Sequence, residues 1–526
     1  MLRPDLTEPL SDFDRQVFAV TVPDDHYLRL VAAHIDFERF RPRLAQAYSP
    51  TLGRPPIDPV LMLKVLFLCY HYKLSDRRVL ERAHTDMAFR WFLALPLRAD
   101  LPHSTDATHF RQRLGAQRFL DVFQDLLAQA REAGLVKDRL RLKDATHVFA
   151  NVADLRPLQL AAQVREYLLQ AAAPFFPDWV NEQRSHINVL RQATAEHSDD
   201  ERLAARVEYL RRLANELHDR DRQLPAAEER DRLRQRLRRA LDVAAKLLAD
   251  QADPDGGDHL FSAVDPEARV GKHGDYFAGY LLDLVMDPDS ELITAVNALP
   301  GNGPEAADAA VLIEQEEKAQ GNDIPCLSLD GIGYNGPVLR ELTDPDGLNL
   351  DVVVPPPQAA PRKTFGPDRF TLRVIDERTA ELTCPQGHPT RNRRRNRQGT
   401  SYRYTFRKSQ CSGCPLRNDC LQNPGSRRGR VVDINDYAAE YRKVEEKAKT
   451  PQYEQTRAEH RKVERKLGEV ARHHDGRRAR YWGQAKVRIQ VVLTALVVNV
   501  KRMVKLLSEK GKAWAAGLAV RAEPAS

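Results

Sequence analysis

A chain of 526 residues is too long for one hydrophobic core, and roughly two to four domains are expected. Hydrophobic residues at 42% and charged ones at 29% exclude disorder as the overall state. The most apolar stretch, Ile489 to Leu507, is broken by Lys501, Arg502 and Lys505, which excludes a bilayer span and predicts a core helix. The net charge of +7, from 81 Lys and Arg against 74 acids, fits a nucleic-acid partner without requiring one. Acidic Asp5 and Glu8 come early, no export-type apolar run follows, and a cytoplasmic location is expected.

Between Ile57 and Gly134 apolar residues recur at helical spacing, most clearly in Pro59 to Tyr70 and Phe119 to Leu135, so residues 1–136 are expected to form an all-α N-terminal unit. Ser75 before Asp76, Arg77 and Arg78, and Ser104 and Thr105 before His109, Arg111 and Arg113, read as N-caps opening short helices. The second helix is basic. That suits a helix-turn-helix reader of DNA with Arg111 and Arg113 as contacts, and it also suits a plain helical bundle.

Arg139 to Val152, within residues 137–156, reads as a strand carrying Asp144 in its middle, where a carboxylate needs a task to justify its desolvation. Residues 157–258 change character. Leu203, Val207, Leu210, Ala214 and Leu217, then Leu233, Leu237, Leu241, Ala244 and Leu248, repeat at heptad-like spacing on either side of Leu224-Pro225 and predict a helical hairpin projecting as an arm. Over residues 259–360, strand-like runs Tyr276 to Met286 and Glu291 to Leu299 flank the turn Asp287-Pro288-Asp289-Ser290. A helix follows at Ala306 to Lys318, then a short apolar run, Ile324 to Leu329, that ends on Asp330, and a strand at Leu348 to Val354. Such an order gives an α/β fold with a mixed sheet and helices on its faces, on which carboxylates at strand ends can converge.

Residues 361–432 form a Cys-rich, basic insert. Cys69 and Cys326 lie in apolar runs as ordinary buried residues, whereas Cys384, Cys411, Cys414 and Cys420 cluster among turn formers Pro385, Gly387 and Gly413. Four soft ligands at this spacing suit tetrahedral zinc in a ribbon-like fold, with His388 able to replace one; a redox-reactive or incidental cluster is the alternative. Arg391, Arg393, Arg394, Arg395, Arg397, Arg403, Arg407 and Lys408 are interleaved with Tyr402, Tyr404 and Phe406, with acids nearly absent, so the insert is expected to contact a DNA backbone. Residues 433–512 read as helices, the first of them basic and carrying Glu464 beside His460 and Arg461; Arg461 is a further candidate DNA contact, and residues 513–526 read as a tail.

With 74 acids in the chain, spacing alone selects no trio. Context does: Asp144 interrupts an apolar strand, Asp330 ends one, and Glu464 stands among cations. Asp323, Asp351 and Glu469 are the competing acids, while Asp265 and Asp283 are candidates for a supporting shell.

Several segments together resemble the DDE transposases of bacterial insertion sequences, closest to the group named after insertion sequence 1182, with an InsH-type N-terminal domain. Lys143-Asp144-Ala145-Thr146 with Asn151-Val152-Ala153 resembles the first catalytic strand, and Val264-Asp265-Pro266-Glu267-Ala268-Arg269 the segment before the hairpin. Leu329-Asp330-Gly331-Ile332-Gly333-Tyr334 resembles the second-aspartate motif with one extra residue. Lys462-Val463-Glu464-Arg465, Arg477-Arg478, Tyr481-Trp482-Gly483 and Asn499-Val500-Lys501-Arg502 resemble the glutamate helix and the terminal helix, and Gly53-Arg54-Pro55-Pro56 and Phe110-Arg111-Gln112-Arg113-Leu114 the N-terminal domain. Where relatives carry tyrosine and arginine before the glutamate and lysine after it, this chain has Arg457, His460 and Ala471, with Arg461 and Arg472 near enough to supply charge.

The resemblance implies an RNase H-like core that binds double-stranded DNA, both element ends and target, as a homodimer assembled on it. It also implies two Mg2+ or Mn2+ ions on Asp144, Asp330 and Glu464, Asp144 bridging both. Cleavage and strand transfer are the implied reactions. A metal-dependent nuclease that cuts without joining is one alternative; a catalytically inactive, zinc-containing DNA-binding regulator is another, against which three intact carboxylates speak.

Overall fold

The computed structural model describes residues 9–49, 57–224, 231–358, 364–376, 379–425 and 427–522; the Gly53-Arg54-Pro55-Pro56 motif and Pro225 lie outside them. The chain begins with seven helices: α1 (Asp12–Thr21), α2 (Tyr27–His34), α3 (Arg41–Ala45), α4 (Pro59–His71), α5 (Asp76–Thr85), α6 (Met87–Phe92) and α7 (Ser104–Glu132). Ser75 caps α5, its hydroxyl accepting from Arg78 N–H, as the sequence predicts. Ser104 lies inside α7, which is capped instead by His103, whose ring nitrogen accepts from Thr105 N–H. Gly115 breaks the helical path of α7 with φ 67°.

A mixed sheet follows, built from β1 (Arg141–Phe149), β2 (Arg269–His273), β3 (Asp275–Met286), β4 (Ile293–Pro300), β5 (Cys326–Ser328) and β6 (Asp351–Val353). The strand order is β2-β3-β1-β5-β6, with β4 also on β3. β1 pairs antiparallel with β3 and parallel with β5, and β5 runs parallel to β6. Between β1 and β2 the chain forms α8 (Pro157–Ala172), α9 (Pro177–Ala193), α10 (Asp199–Gln223) and α11 (Asp231–Ala252). They bury a cluster of their own, including Leu168, Leu213, Leu237 and Leu247. The expected hairpin is α10 and α11, and α8 packs against both.

Helices α12 (Asp308–Gln320) and α13 (Gly336–Leu342) lie between the later strands. The insert holds two three-stranded sheets built from β7 (Thr371–Val374), β8 (Ala380–Thr383), β9 (Pro389–Thr390), β10 (Arg393–Arg395), β11 (Ser401–Thr405) and β12 (Val431–Asn435), with one-turn helices α14 (Lys408–Cys411) and α15 (Arg417–Cys420). α16 (Ala438–Lys447), α17 (Pro451–His473) and α18 (Gln484–Ala522) complete the fold, so the expected tail continues α18 as far as Ala522.

Alternation along β3 sorts the core into two layers. Leu282, Leu284 and Met286 face one cluster with Val463 and Val492, while Val285 faces another with Leu312, Leu327 and Leu339. Helices α17 and α18 therefore cover one face, and α12, α13 and α16 the other. The first cluster runs without a break into Phe67, Phe119 and Phe123 of the N-terminal helices. The N-terminal unit is thus joined to the sheet through α18, whose residues Val491 to Val498 are buried on every side. No helix among the described residues is long and apolar enough to cross a membrane.

Candidate active site

Short β5 opens the site. Its last pair with β1 is Ser328 opposite Leu142, so Asp144 has outrun its parallel neighbour and faces a gap. Asp330 stands two residues beyond the end of β5, where its carboxylate accepts Ile332 N–H (3.2 Å) and caps a 3-10 turn over Gly331–Gly333. That turn absorbs the extra residue of the second-aspartate motif. Gly333 is required there, since a Cβ would lie 2.8 Å from Leu329.

The gap collects carboxylates. Ligand oxygens of Asp144, Asp330 and Glu305 lie within 4.8 Å of one another, the one such group among the described residues. Glu305 is buried and was not foreseen; it follows β4 on the turn Pro300-Gly301-Asn302-Gly303-Pro304. Its place is fixed from behind by Lys143, which is 1% exposed. The ammonium donates to Glu305 O (2.7 Å), lies 3.7 Å from the Glu305 carboxylate and pairs with buried Asp283 at 3.0 Å.

Burial pushes the Asp144 carboxyl up to about 7, with Asp330 and Glu305 adding repulsion and the N–H of Ala145 acting in the opposite sense. Three oxygen donors crowded together, one of them reluctant to ionise without a counter-charge, are a donor set that fits a hard divalent cation.

Glu464 is not in that group. It is exposed on α17, one residue past buried Val463. The helix is clamped against the sheet by Arg139, which grips Asp289 (2.7 Å) in the β3–β4 turn and Glu459 (2.7 Å) on α17, and by His460, whose Nδ1 meets Ser328 Oγ at 3.0 Å. Burial drives His460 down to about 3, so it is neutral. Arg457, one turn earlier, donates to Leu329 O (2.7 Å). Burial lowers its pKa, while Asp330, Glu464 and Asp144 all act to raise it. One guanidinium thus feels all three acids expected from the sequence.

Of the other acids, Asp323 is exposed and three have structural partners. Asp351 pairs with Lys447, Glu469 with Lys466 (2.8 Å), and Asp265 accepts Tyr280 OH (2.6 Å) and Gly483 N–H (2.9 Å).

Arg111 corrects one expectation. Its side chain is buried and held by Asp76 at 2.5 Å, so its charge is spent inside the N-terminal unit and it does not face a DNA surface. Arg113 is exposed over Tyr48. In the insert the expected scarcity of acids is offset by the fold: Arg391 meets Glu381 (2.8 Å), Arg395 meets Asp436 (2.6 Å), and Arg403 meets Asp433 (2.8 Å). Arg393 stacks on Tyr402, while Arg394, Arg407, Lys408 and, on α17, Arg461 are exposed.

Cys384, Cys411, Cys414 and Cys420 line one small cavity together with Phe365 and Phe406, and none forms a disulfide. Gly387, at φ 80°, turns the chain back so that Cys384 N–H donates to His388 O (3.0 Å), and Cys411 Sγ accepts Arg430 N–H (3.4 Å). Burial raises the Cys420 thiol, and its three partner cysteines add to the effect.

Comparison with known families gives two matches. Residues 16–113 match a transposase domain (DUF772), and residues 383–504 match a transposase DDE domain. Glu464 falls within the second match, whereas Asp144, Glu305 and Asp330 lie between the two. No curated protein and no solved structure matches the chain.

Proposed function

We propose that this chain, a DDE transposase of insertion-sequence type, binds the ends of its element as a homodimer and catalyses metal-dependent cleavage and strand transfer, with Asp144, Asp330 and Glu464 as the reacting acids. The observation that carries the reading is the meeting of Asp144, Asp330 and Glu305 at an open strand edge beside the glutamate helix. An RNase H-like core is implied by the DDE domain, and a mixed sheet with two parallel strands beside β1 agrees with it.

Asp144, Asp330 and Glu305 would hold a first Mg2+ or Mn2+ and Glu464 would complete the site for a second. When bound, such ions supply an activated water or DNA 3′-hydroxyl and stabilise the leaving oxygen. The chain's own part is positional. Lys143 fixes Glu305 from the core, the 3-10 turn aims Asp330, and Arg457 keeps a cation beside the acids where a phosphate would approach. Arg113, Arg394, Arg407, Lys408 and Arg461 are the exposed candidates for backbone phosphates. Arg393, Arg395 and Arg403 stand with them, held in place by Tyr402, Asp436 and Asp433. Acting on a bacterial chromosome, the protein would work in the cytoplasm at the nucleoid.

Cys384, Cys411, Cys414 and Cys420 would hold a structural zinc, which would fix the insert.

The test is cleavage and joining of the element's own ends with Mg2+, comparing wild type with Asp144→Ala, Asp330→Ala, Glu464→Ala and Glu305→Ala. Loss of both steps by a factor of a thousand or more is expected for the first three. Activity close to wild type in any one removes it from the triad, and cleavage without joining of a pre-cut end would make the protein a nuclease.

A further inference from the structure

Past Asp144, the far end of β1 meets the link between α17 and α18. Phe149 N–H donates to Arg477 O (2.8 Å) and Ala479 N–H to Phe149 O (2.9 Å). Gln490 of α18 holds the other side of the link, accepting Arg480 N–H (2.7 Å) and donating to Arg478 O (2.8 Å). The N-terminal unit closes on the same link: the Arg480 guanidinium lies 4.6 Å from the Tyr70 ring and donates to Leu74 O (3.2 Å). A segment tied to three elements has a fixed backbone.

Between this link, Phe149 and the α4–α5 loop lies an open cavity of about 710 Å3. Its acids are already engaged, Asp76 with Arg111 (2.5 Å) and Asp475 with Lys73 (3.6 Å). Arg477 and Arg478 also line it, both exposed, and no carboxylate among the described residues pairs with either. Ser75 and Asp76, the N-cap and first residue of the ten-residue helix α5, stand in the facing wall at the positive end of its dipole. Two unpaired guanidinium groups on a fixed backbone suit phosphate, because the backbone is already in place and only side-chain freedom is lost when the anion arrives.

The volume is that of a small-ligand site and is adequate for a short stretch of the sugar-phosphate backbone of one strand. Its position selects DNA over a free anion. Five residues of extended strand separate Phe149 from Asp144, about 17 Å at ~3.3 Å per residue, so a strand whose scissile phosphate sits at the acids reaches the cavity a few nucleotides away.

We propose that this cavity grips the DNA backbone beside the cleavage point, with Arg477 and Arg478 as its phosphate contacts and the two family-matched regions supplying opposite walls. This rests on the transposase reading. It adds a binding site built jointly by the N-terminal unit and the C-terminal link.

The experiment uses full-length protein without divalent metal and a fluorescein-labelled duplex carrying the element's terminal sequence, with anisotropy measured from 50 to 300 mM salt. Arg477→Gln/Arg478→Gln is expected to raise Kd on the order of tenfold near 150 mM salt and to reduce the slope of log K against log salt by about 2, one per lost phosphate contact. Arg477→Lys/Arg478→Lys should keep the slope. Because both side chains are exposed and unpaired, the variants should melt with wild type, which separates lost contact from lost fold. Unchanged affinity and slope in the folded Gln variant would overturn the assignment. Failure of wild type itself to bind the duplex would instead overturn the transposase reading, and this site with it.

Discussion

Lys143→Met is the sharpest probe of how the acids are held. The ammonium is 1% exposed and serves three groups at once, Asp283 (3.0 Å), the Glu305 carboxylate (3.7 Å) and Glu305 O (2.7 Å). Methionine matches the stem in volume and removes only the charge, leaving fully buried Asp283 without its cation. Breaking a buried pair on one side costs about 3–5 kcal/mol. Set against a typical total of about 5–15 kcal/mol, that would be a large loss measurable by urea unfolding at 25 °C. Lys143→Met/Asp283→Leu removes both charges and should recover most of the loss, giving a coupling of at least ~2 kcal/mol in a double-mutant cycle. With Glu305 released from its tether, Mn2+ affinity measured on the folded single variant should also fall. A destabilisation below ~1 kcal/mol, or two losses that simply add, would refute the account of Lys143 as the post on which Glu305 is mounted.

Asp144 carries a raised pKa, so the metal-free folded state holds a proton there that the unfolded chain has released. Stability should therefore fall as pH rises from about 4 towards about 7, and Asp144→Asn, compared by denaturant titration at pH 5 and pH 8, should flatten that fall and be the more stable protein at pH 8. Arg111→Ala should cost about 2–4 kcal/mol by stranding Asp76, whereas Arg113→Ala should stay within about 0.5 kcal/mol; equal effects would contradict the buried assignment of Arg111. Cys414→Ser should release one zinc per chain, read by a colorimetric chelator, and lower the melting temperature. A purified wild type containing no zinc would remove the metal from the insert.

The sequence exposes those parts of the fold that are set by local pattern. Asp144 in an apolar strand, the Asp287-Pro288-Asp289-Ser290 turn and the heptad runs of α10 and α11 can be read directly, because strand alternation, turn chemistry and helical spacing act over a few residues. What escapes is pairing at long range. Arg111 looks like a free cation until the fold delivers Asp76 from 35 residues upstream, and Arg403 until β12 brings Asp433. Glu305 reads as a loop acid after Pro300-Gly301-Asn302-Gly303-Pro304, and Lys143 as one more polar residue in a strand. Only the fold brings the two together. The N-terminal helices read as a separate domain for a similar reason: nothing local says that α18 packs on α7 and β4 together.

The acids are therefore mounted in two different ways. Asp144 stands in β1, Glu305 is held by the buried Lys143 ammonium, and Asp330 caps the turn that follows β5. Glu464 belongs to α17, which packs on the sheet through buried Val463, Val470 and His460 and is tied further by exposed and half-buried contacts: Arg139 to Asp289 and Glu459, and Arg457 to Leu329 O. Such links are individually weak and screened by salt. Glu464 stands outside the 4.8 Å group.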